Sequence, residues 1–90
     1  MSGDPNNMTD QEILDICSRV LGDLLDDDSI VLTMATRRPE IPDWDSLAYI
    51  NFIAAIEQEL GVRYGIADVE SFEDVGAIVR RTQVLRAGKK

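Results

Sequence analysis

The sequence contains no histidine and only one cysteine among its 90 residues. Without histidine, a serine nucleophile lacks its usual general base. Cys17 cannot form a disulfide within the chain, so the protein suits a reducing compartment or is indifferent to redox conditions. No stretch approaches the roughly 20 apolar residues that a membrane-spanning helix needs. These absences exclude Ser–His catalysis, a disulfide framework and a membrane span.

Basic residues are also scarce, with 9 Lys and Arg against 17 Asp and Glu and a net charge of −8. Nucleic acid is therefore not an expected partner, because its phosphates would be repelled. The charge is unevenly distributed, since nine acids and one base lie between Glu40 and Asp74, whereas five bases and no acid follow Asp74. This acidic middle segment either steers basic partner surfaces or only keeps the protein soluble.

Length and composition predict one domain. The polar opening "MSGDPNNMTD" does not resemble a secretion leader, so we expect a cytoplasmic protein. We predict a disordered N-terminal extension over residues 1–9, a folded domain over 10–85 and a basic flexible tail over 86–90.

The first helix is predicted over residues 10–25. Thr9 and Glu12 have the spacing of a capping box, and apolar residues then recur at helical intervals. Cys17 lies within this apolar stripe and is interpreted as a core residue. The "DDD" run at 26–28 lacks the alternating ligands and the glycine of a calcium loop, so we predict no metal site there.

A long connection follows at residues 29–44, where Pro39 and Pro42 disfavour an ordinary helix. Its apolar residues are too numerous for a free linker, so we expect it to pack across the bundle. Long loops in compact domains are often functional.

The second helix is predicted over residues 46–60, with Asp45 as N-cap and Gly61 as terminator. Five apolar residues form one wide face for the core: Tyr49, Phe52, Ile53, Ile56 and Leu60. Leu47, Ile50 and Ala54 form a second stripe on the other side. This stripe either packs under the long loop or is a docking surface for other proteins.

The last two helices are predicted at 66–70 and 72–85, the latter with a weak capping box of Ser71 and Asp74. Three long helices, one short helix and no strand signal predict an all-α, four-helix bundle with a long first loop.

Ser46 is the remaining candidate for chemistry. A lysine base could come only from the terminal pair of lysines, and a bundle of this size offers little cleft for paired carboxylates such as Asp43 and Asp45. We therefore predict that the chain is not an enzyme. Ser46 is either a helix-capping residue or a hydroxyl on which another protein acts.

The residues around Ser46 resemble those of a known family. The tripeptide "DSL" at 45–47 opens a helix that closes in "EQELGV" at 57–62, and "SFEDVGAIV" at 71–79 is similar to the start of a last helix. Together with residues 32–64 as a whole, these segments resemble free-standing bacterial acyl carrier proteins. The resemblance covers residues 10–85.

The resemblance implies a four-helix bundle that carries acyl groups as thioesters on a 4′-phosphopantetheine arm. A phosphopantetheinyl transferase would attach this arm, taken from coenzyme A, to Ser46, and Asp45 would help that enzyme to bind. The monomeric carrier would then serve acyl-loading and acyl-transferring enzymes. We expect these partners to contact Asp45, Leu47, Ile50, Ala54 and Glu57, with Glu70 as a further steering acid.

The sequence departs from carriers of primary fatty-acid synthesis, which usually have further acids early in this helix. Ala48 and Asn51 occupy those positions here. This difference favours a specialised lipid, polyketide or acyl-sugar pathway. Two alternatives stay open: a peptidyl or aminoacyl carrier protein, and an acidic helical adaptor that binds proteins without the arm.

Overall fold

A computed structural model describes residues 8–88 of the chain. It contains four α-helices, α1 (Asp10–Leu25), α2 (Ser46–Leu60), α3 (Ile66–Ser71) and α4 (Val75–Ala87), and a 3₁₀ turn at Arg38–Glu40. The described part of the chain has no β-strand. The all-α bundle of three long helices and one short helix, with a long first loop, is therefore confirmed.

The chain ends lie outside this description. Residues 1–7 of the predicted extension and residues 89–90 of the predicted tail are not among the described residues. The proposed domain boundaries therefore stay predictions. None of the helices over residues 8–88 has both the length and the apolar character needed to cross a membrane.

The start of α1 confirms the predicted capping box. The Thr9 hydroxyl accepts a hydrogen bond from the Glu12 N–H at 3.1 Å, and the Glu12 carboxylate accepts one from the Thr9 N–H at 2.7 Å. Most of the apolar stripe of α1 is buried, whereas Leu24 is 41% exposed because it lies in the last turn, beside the exposed residues 26–29. The local capping signals thus predict the first residue of this helix correctly.

The core forms where α1, α2 and α4 meet. Its wholly buried side chains include Ile13, Cys17, Phe52, Ile56 and Val79. The core also contains a polar pair in which the Tyr64 and Thr82 hydroxyls lie 2.6 Å apart. Thr82 donates in turn to the Ile78 carbonyl at 2.7 Å, so this buried polar group is satisfied.

The first loop packs across the bundle, as predicted. Leu32 and Trp44 are 3% and 5% exposed, and they anchor the two ends of the loop in the core. Between them, the carbonyl oxygens of Thr36 and Met34 accept hydrogen bonds from the N–H groups of Val75 and Gly76 at 2.9 and 2.8 Å. The loop therefore satisfies two amides in the first turn of α4 that have no partner within the helix.

The predicted start of the last helix at residue 72 is wrong. Helix α4 begins at Val75, because Asp74 is its N-cap and accepts from the Ala77 N–H at 2.8 Å. Ser71 is instead the last residue of α3, where its hydroxyl donates to the Asp68 carbonyl at 2.9 Å. The helix also continues two residues beyond the predicted end, to Ala87.

Candidate functional site

Ser46 is the first residue of α2 and is exposed. The preceding residue, Asp45, caps the helix, since its carboxylate accepts from the Ala48 N–H at 2.9 Å. Within residues 8–88, the Ser46 hydroxyl takes part in no hydrogen bond. The capping explanation for Ser46 is therefore wrong, and its hydroxyl is free for chemistry.

A cleft of about 350 Å³ opens beside Ser46. It lies between the first loop, α2, α3 and the start of α4. Its apolar lining consists of Trp44, Tyr49, Ile50, Val69, Phe72, Val75 and Ile78, and its charged lining consists of Arg38, Glu70, Glu73 and Asp74. A small apolar group attached near Ser46 could enter this space.

Aromatic side chains form the inner wall of the cleft. The Trp44 ring lies edge-on to Phe52, with ring centres 5.1 Å apart, and is tilted against Tyr49 at 6.2 Å. The Tyr49 hydroxyl donates to the Val69 carbonyl at 2.8 Å and thereby links α2 to α3. These contacts fix the width of the cleft between the two helices.

Arg38 lies on the same side of the molecule as Ser46. Its guanidinium carbon is 5.0 Å from the centre of the Tyr49 ring, which is within the range of a cation–π contact. Partial burial raises the pKa of Tyr49, and the positive charge of Arg38 opposes this rise. A positive group thus lies at the cleft in an otherwise acidic part of the chain.

The second apolar stripe of α2 is on the surface. Leu47 and Ile50 are 71% and 56% exposed, and Ala54 is also exposed, so the stripe does not pack under the long loop. Glu57, which we expected at a partner surface, is half-buried and accepts from the Tyr64 N–H at 2.8 Å. A role of these residues in partner binding stays a prediction.

Cys17 and the acidic clusters supply no further site. Cys17 is wholly buried, and burial raises the pKa of its thiol to about 12. In the part of the chain that the structure describes, no group of three or more Cys, Asp or Glu side chains is arranged to hold a metal ion.

Sequence reasoning found Ser46 and Asp45 but missed the cleft. Trp44 is one of the apolar residues of the long connection, and its place directly before the helix cap is a usable signal. Arg38 carried no such signal, because its position over Tyr49 depends on how the loop folds.

The four-helix fold thus presents an exposed serine at the start of α2, beside a cleft. Among solved structures, the chain is similar to the solution structure of the holo acyl carrier protein from Geobacter metallireducens, with 29% sequence identity and a TM-score of 0.76. The match covers 83% of this chain and 86% of that one. No protein-family profile and no curated protein matches the sequence. The chain therefore has the fold of an acyl carrier protein, as the resemblance in the sequence implied.

Proposed function

We propose that this protein is a carrier of acyl groups and not an enzyme. A 4′-phosphopantetheine arm would be bound covalently to Ser46, and its terminal thiol would hold the acyl group as a thioester. The observation that carries the proposal is the free, exposed hydroxyl of Ser46 at the start of α2, within the Asp45–Ser46–Leu47 motif. The similarity to a holo acyl carrier protein supports it.

The surroundings of Ser46 fit such an arm. In the attachment step, Ser46 Oγ attacks the phosphorus of coenzyme A that bears the pantetheine. The P–O–P bond of the pyrophosphate breaks, and adenosine 3′,5′-bisphosphate leaves. The transferase accepts the hydroxyl proton, which explains why the chain needs no base of its own. The product is a phosphodiester at the N-terminus of a 15-residue helix, where the helix dipole stabilises negative charge.

The start of α2 supports a specialised pathway. Beyond Asp45, no acid lies in the first turns of α2, where Leu47 and Ile50 are exposed instead. Partner enzymes would meet an apolar surface here rather than a row of carboxylates. We therefore propose a lipid, polyketide or acyl-sugar pathway, served by acyl-loading and acyl-transferring enzymes, rather than primary fatty-acid synthesis.

Modification of Ser46 is the direct test. Co-expression with a broad-specificity phosphopantetheinyl transferase should add one phosphopantetheine, detected as a single mass increment of the intact protein. Ser46→Ala should abolish the increment while the helical content and the stability are retained, because Asp45 and not Ser46 caps the helix.

Ser29→Ala, in an exposed turn outside the motif, is the matched control and should still be modified. A wild-type protein that gains no arm from any competent transferase would contradict the carrier proposal and favour the unmodified adaptor. Modification of Ser46→Ala would place the site elsewhere.

A further inference from the structure

Within residues 8–88, Arg38 is the one positively charged side chain that lines the cleft beside Ser46. Three acids line the same cleft: Glu70, Glu73 and Asp74. Despite these acids, the Arg38 side chain takes part in no ion pair and no hydrogen bond in the described part of the chain. Its guanidinium therefore has N–H donors available for an anion at the cleft.

Backbone and side-chain contacts both fix the position of this guanidinium. Arg38 opens the 3₁₀ turn at 38–40, where its carbonyl accepts a hydrogen bond from the Ile41 N–H at 3.1 Å. The guanidinium carbon lies 5.0 Å from the centre of the Tyr49 ring. Most exposed ion pairs are weak because two mobile side chains must be ordered, but the half-buried Arg38 is already held in place.

Tyr49 brings Arg38 to the side of α2 that bears Ser46. Tyr49 follows Ser46 by three positions in α2, and both residues line the cleft. Residues three apart in a helix lie on one face, and a helical side chain covers the turn before its own Cα. Arg38, placed over the Tyr49 ring, therefore borders the same part of the cleft as Ser46.

An arm on Ser46 would add a negative charge at this place. The phosphorus of the phosphodiester would be bonded to Ser46 Oγ, so its position, unlike that of the rest of the arm, is set by one side chain. The three acids that line the cleft would repel this charge. Arg38 is the side chain of the cleft that can offset the repulsion.

We propose that Arg38 binds the phosphodiester of the arm once Ser46 has been modified. This inference rests on the proposed function and assigns the residue that holds the charged end of the arm. A guanidinium can donate two parallel N–H bonds to phosphate oxygens, which gives the contact direction as well as strength. The contact would limit the directions in which the arm can leave Ser46.

Phosphorus nuclear magnetic resonance of the modified protein tests the contact. A phosphodiester does not change its charge near neutral pH, so a moved resonance reports its surroundings and not its ionisation. The phosphorus resonance of Arg38→Gln should differ from that of the wild type. Arg37→Gln is the matched control, because Arg37 is the neighbouring arginine but is exposed and does not line the cleft, and its resonance should equal the wild-type one.

Urea unfolding with and without the arm gives a second readout. At low salt, addition of the arm should raise the unfolding equilibrium constant about threefold or more in Arg38→Gln relative to its effect in the wild type. This difference should shrink as salt is added, because salt screens charges. If Arg38 only stabilises the fold through Tyr49, Arg38→Gln lowers the stability of both forms equally, and the inference is wrong.

The remaining outcomes are equally decisive. If Ser46 gains no arm, the proposed function fails and this inference fails with it. An arm on Ser46 whose phosphorus resonance is the same in the wild type and Arg38→Gln overturns only this inference. If Arg38→Gln does not fold, Arg38→Lys, which keeps the charge but not the paired donors, replaces it, and an unchanged resonance in that variant overturns the inference.

Discussion

At the scale of single residues, Cys17 and Tyr64 show how burial controls ionisation in this core. Burial is the main cause that raises the pKa of each, from 9.0 for Cys17 and from 10.0 for Tyr64, to about 12. In the unfolded chain both groups would ionise near their ordinary values. The folded protein therefore keeps protons that the unfolded chain loses as the pH rises.

We expect the free energy of unfolding to fall above pH 9. At pH values between the pKa of a group in the unfolded state and its pKa in the folded state, that group lowers the free energy of unfolding by about 1.4 kcal/mol per pH unit. The reason is that the unfolded state binds fewer protons there. Cys17 contributes first, and Tyr64 joins above pH 10. Urea unfolding between pH 8 and pH 11 measures this slope.

Cys17→Ala separates the two contributions. The variant leaves a cavity and is less stable throughout, yet its stability should fall less steeply between pH 9 and pH 10 than that of the wild type. An unchanged slope would mean that the thiol does not stay protonated in the folded protein.

At the scale of elements, the start of α4 depends on its contact with the first loop. The Gly76 N–H donates to the Met34 carbonyl at 2.8 Å, and a Cβ at Gly76 would lie 2.6 Å from that same oxygen. This distance is shorter than carbon and oxygen atoms tolerate, so the loop or the helix would have to move.

Gly76→Ala should therefore lower the free energy of unfolding by about 1–3 kcal/mol, the usual cost of an overpacked contact. Gly65→Ala is the control, because the nearest atom to its Cβ would be the Asp68 carboxylate at 3.6 Å, an ordinary contact. Urea unfolding of both variants measures the difference. Equal stability of the two variants would contradict the close approach of loop and helix.

Elements with local capping signals could be predicted from the sequence, and those fixed by distant contacts could not. Local signals predicted α1 and α2 correctly, because each signal acts within a few residues. These signals are Thr9 with Glu12 for α1, and Asp45 with Gly61 for α2. At the start of α4, both Ser71 and Asp74 offered a cap. Asp74 is the cap in the structure. The two amides that follow it donate to the carbonyl oxygens of residues 36 and 34, about forty positions away in the sequence.

The same reasoning applies to the candidate site. Ser46 and the exposed stripe of α2 could be read from a motif and a helical period. The cleft is formed by side chains from the loop and three helices, so no single segment encodes it.

At the scale of the whole molecule, charge is divided between the acidic middle of the chain and α4. Arg81 and Arg80 of α4 pair with Asp68 at 3.1 Å and Asp74 at 3.8 Å. In the described region, Glu70 and Glu73 take part in no ion pair, and both lie at the cleft. A basic partner surface would therefore be attracted towards the side that holds Ser46.

We propose that partner enzymes dock on Leu47, Ile50 and Ala54. Ile50→Asp should slow modification by the transferase about tenfold or more, because a central apolar contact in such an interface is worth about 1–3 kcal/mol. Helical content and melting temperature should stay nearly unchanged, since Ile50 is 56% exposed. Rates of modification at low and moderate salt measure both docking and steering.

Val84→Asp is the matched control, since Val84 is 58% exposed but lies near the far end of α4. It should leave the rate of modification unchanged. An Ile50→Asp protein that unfolds would show that the side chain is structural, and one that is modified at the normal rate would place docking elsewhere.

The hydrogen bonds from Val75 and Gly76 to the loop also bear on how the chain folds. They cannot form until the chain has closed a loop of about forty residues. Closing a long loop costs conformational entropy and is therefore slow. By contrast, the caps of α1 and α2 form between neighbours. We expect the two long helices to associate early in folding and the first turn of α4 to be fixed late. The cleft beside Ser46 would then be among the last parts of the native structure to form.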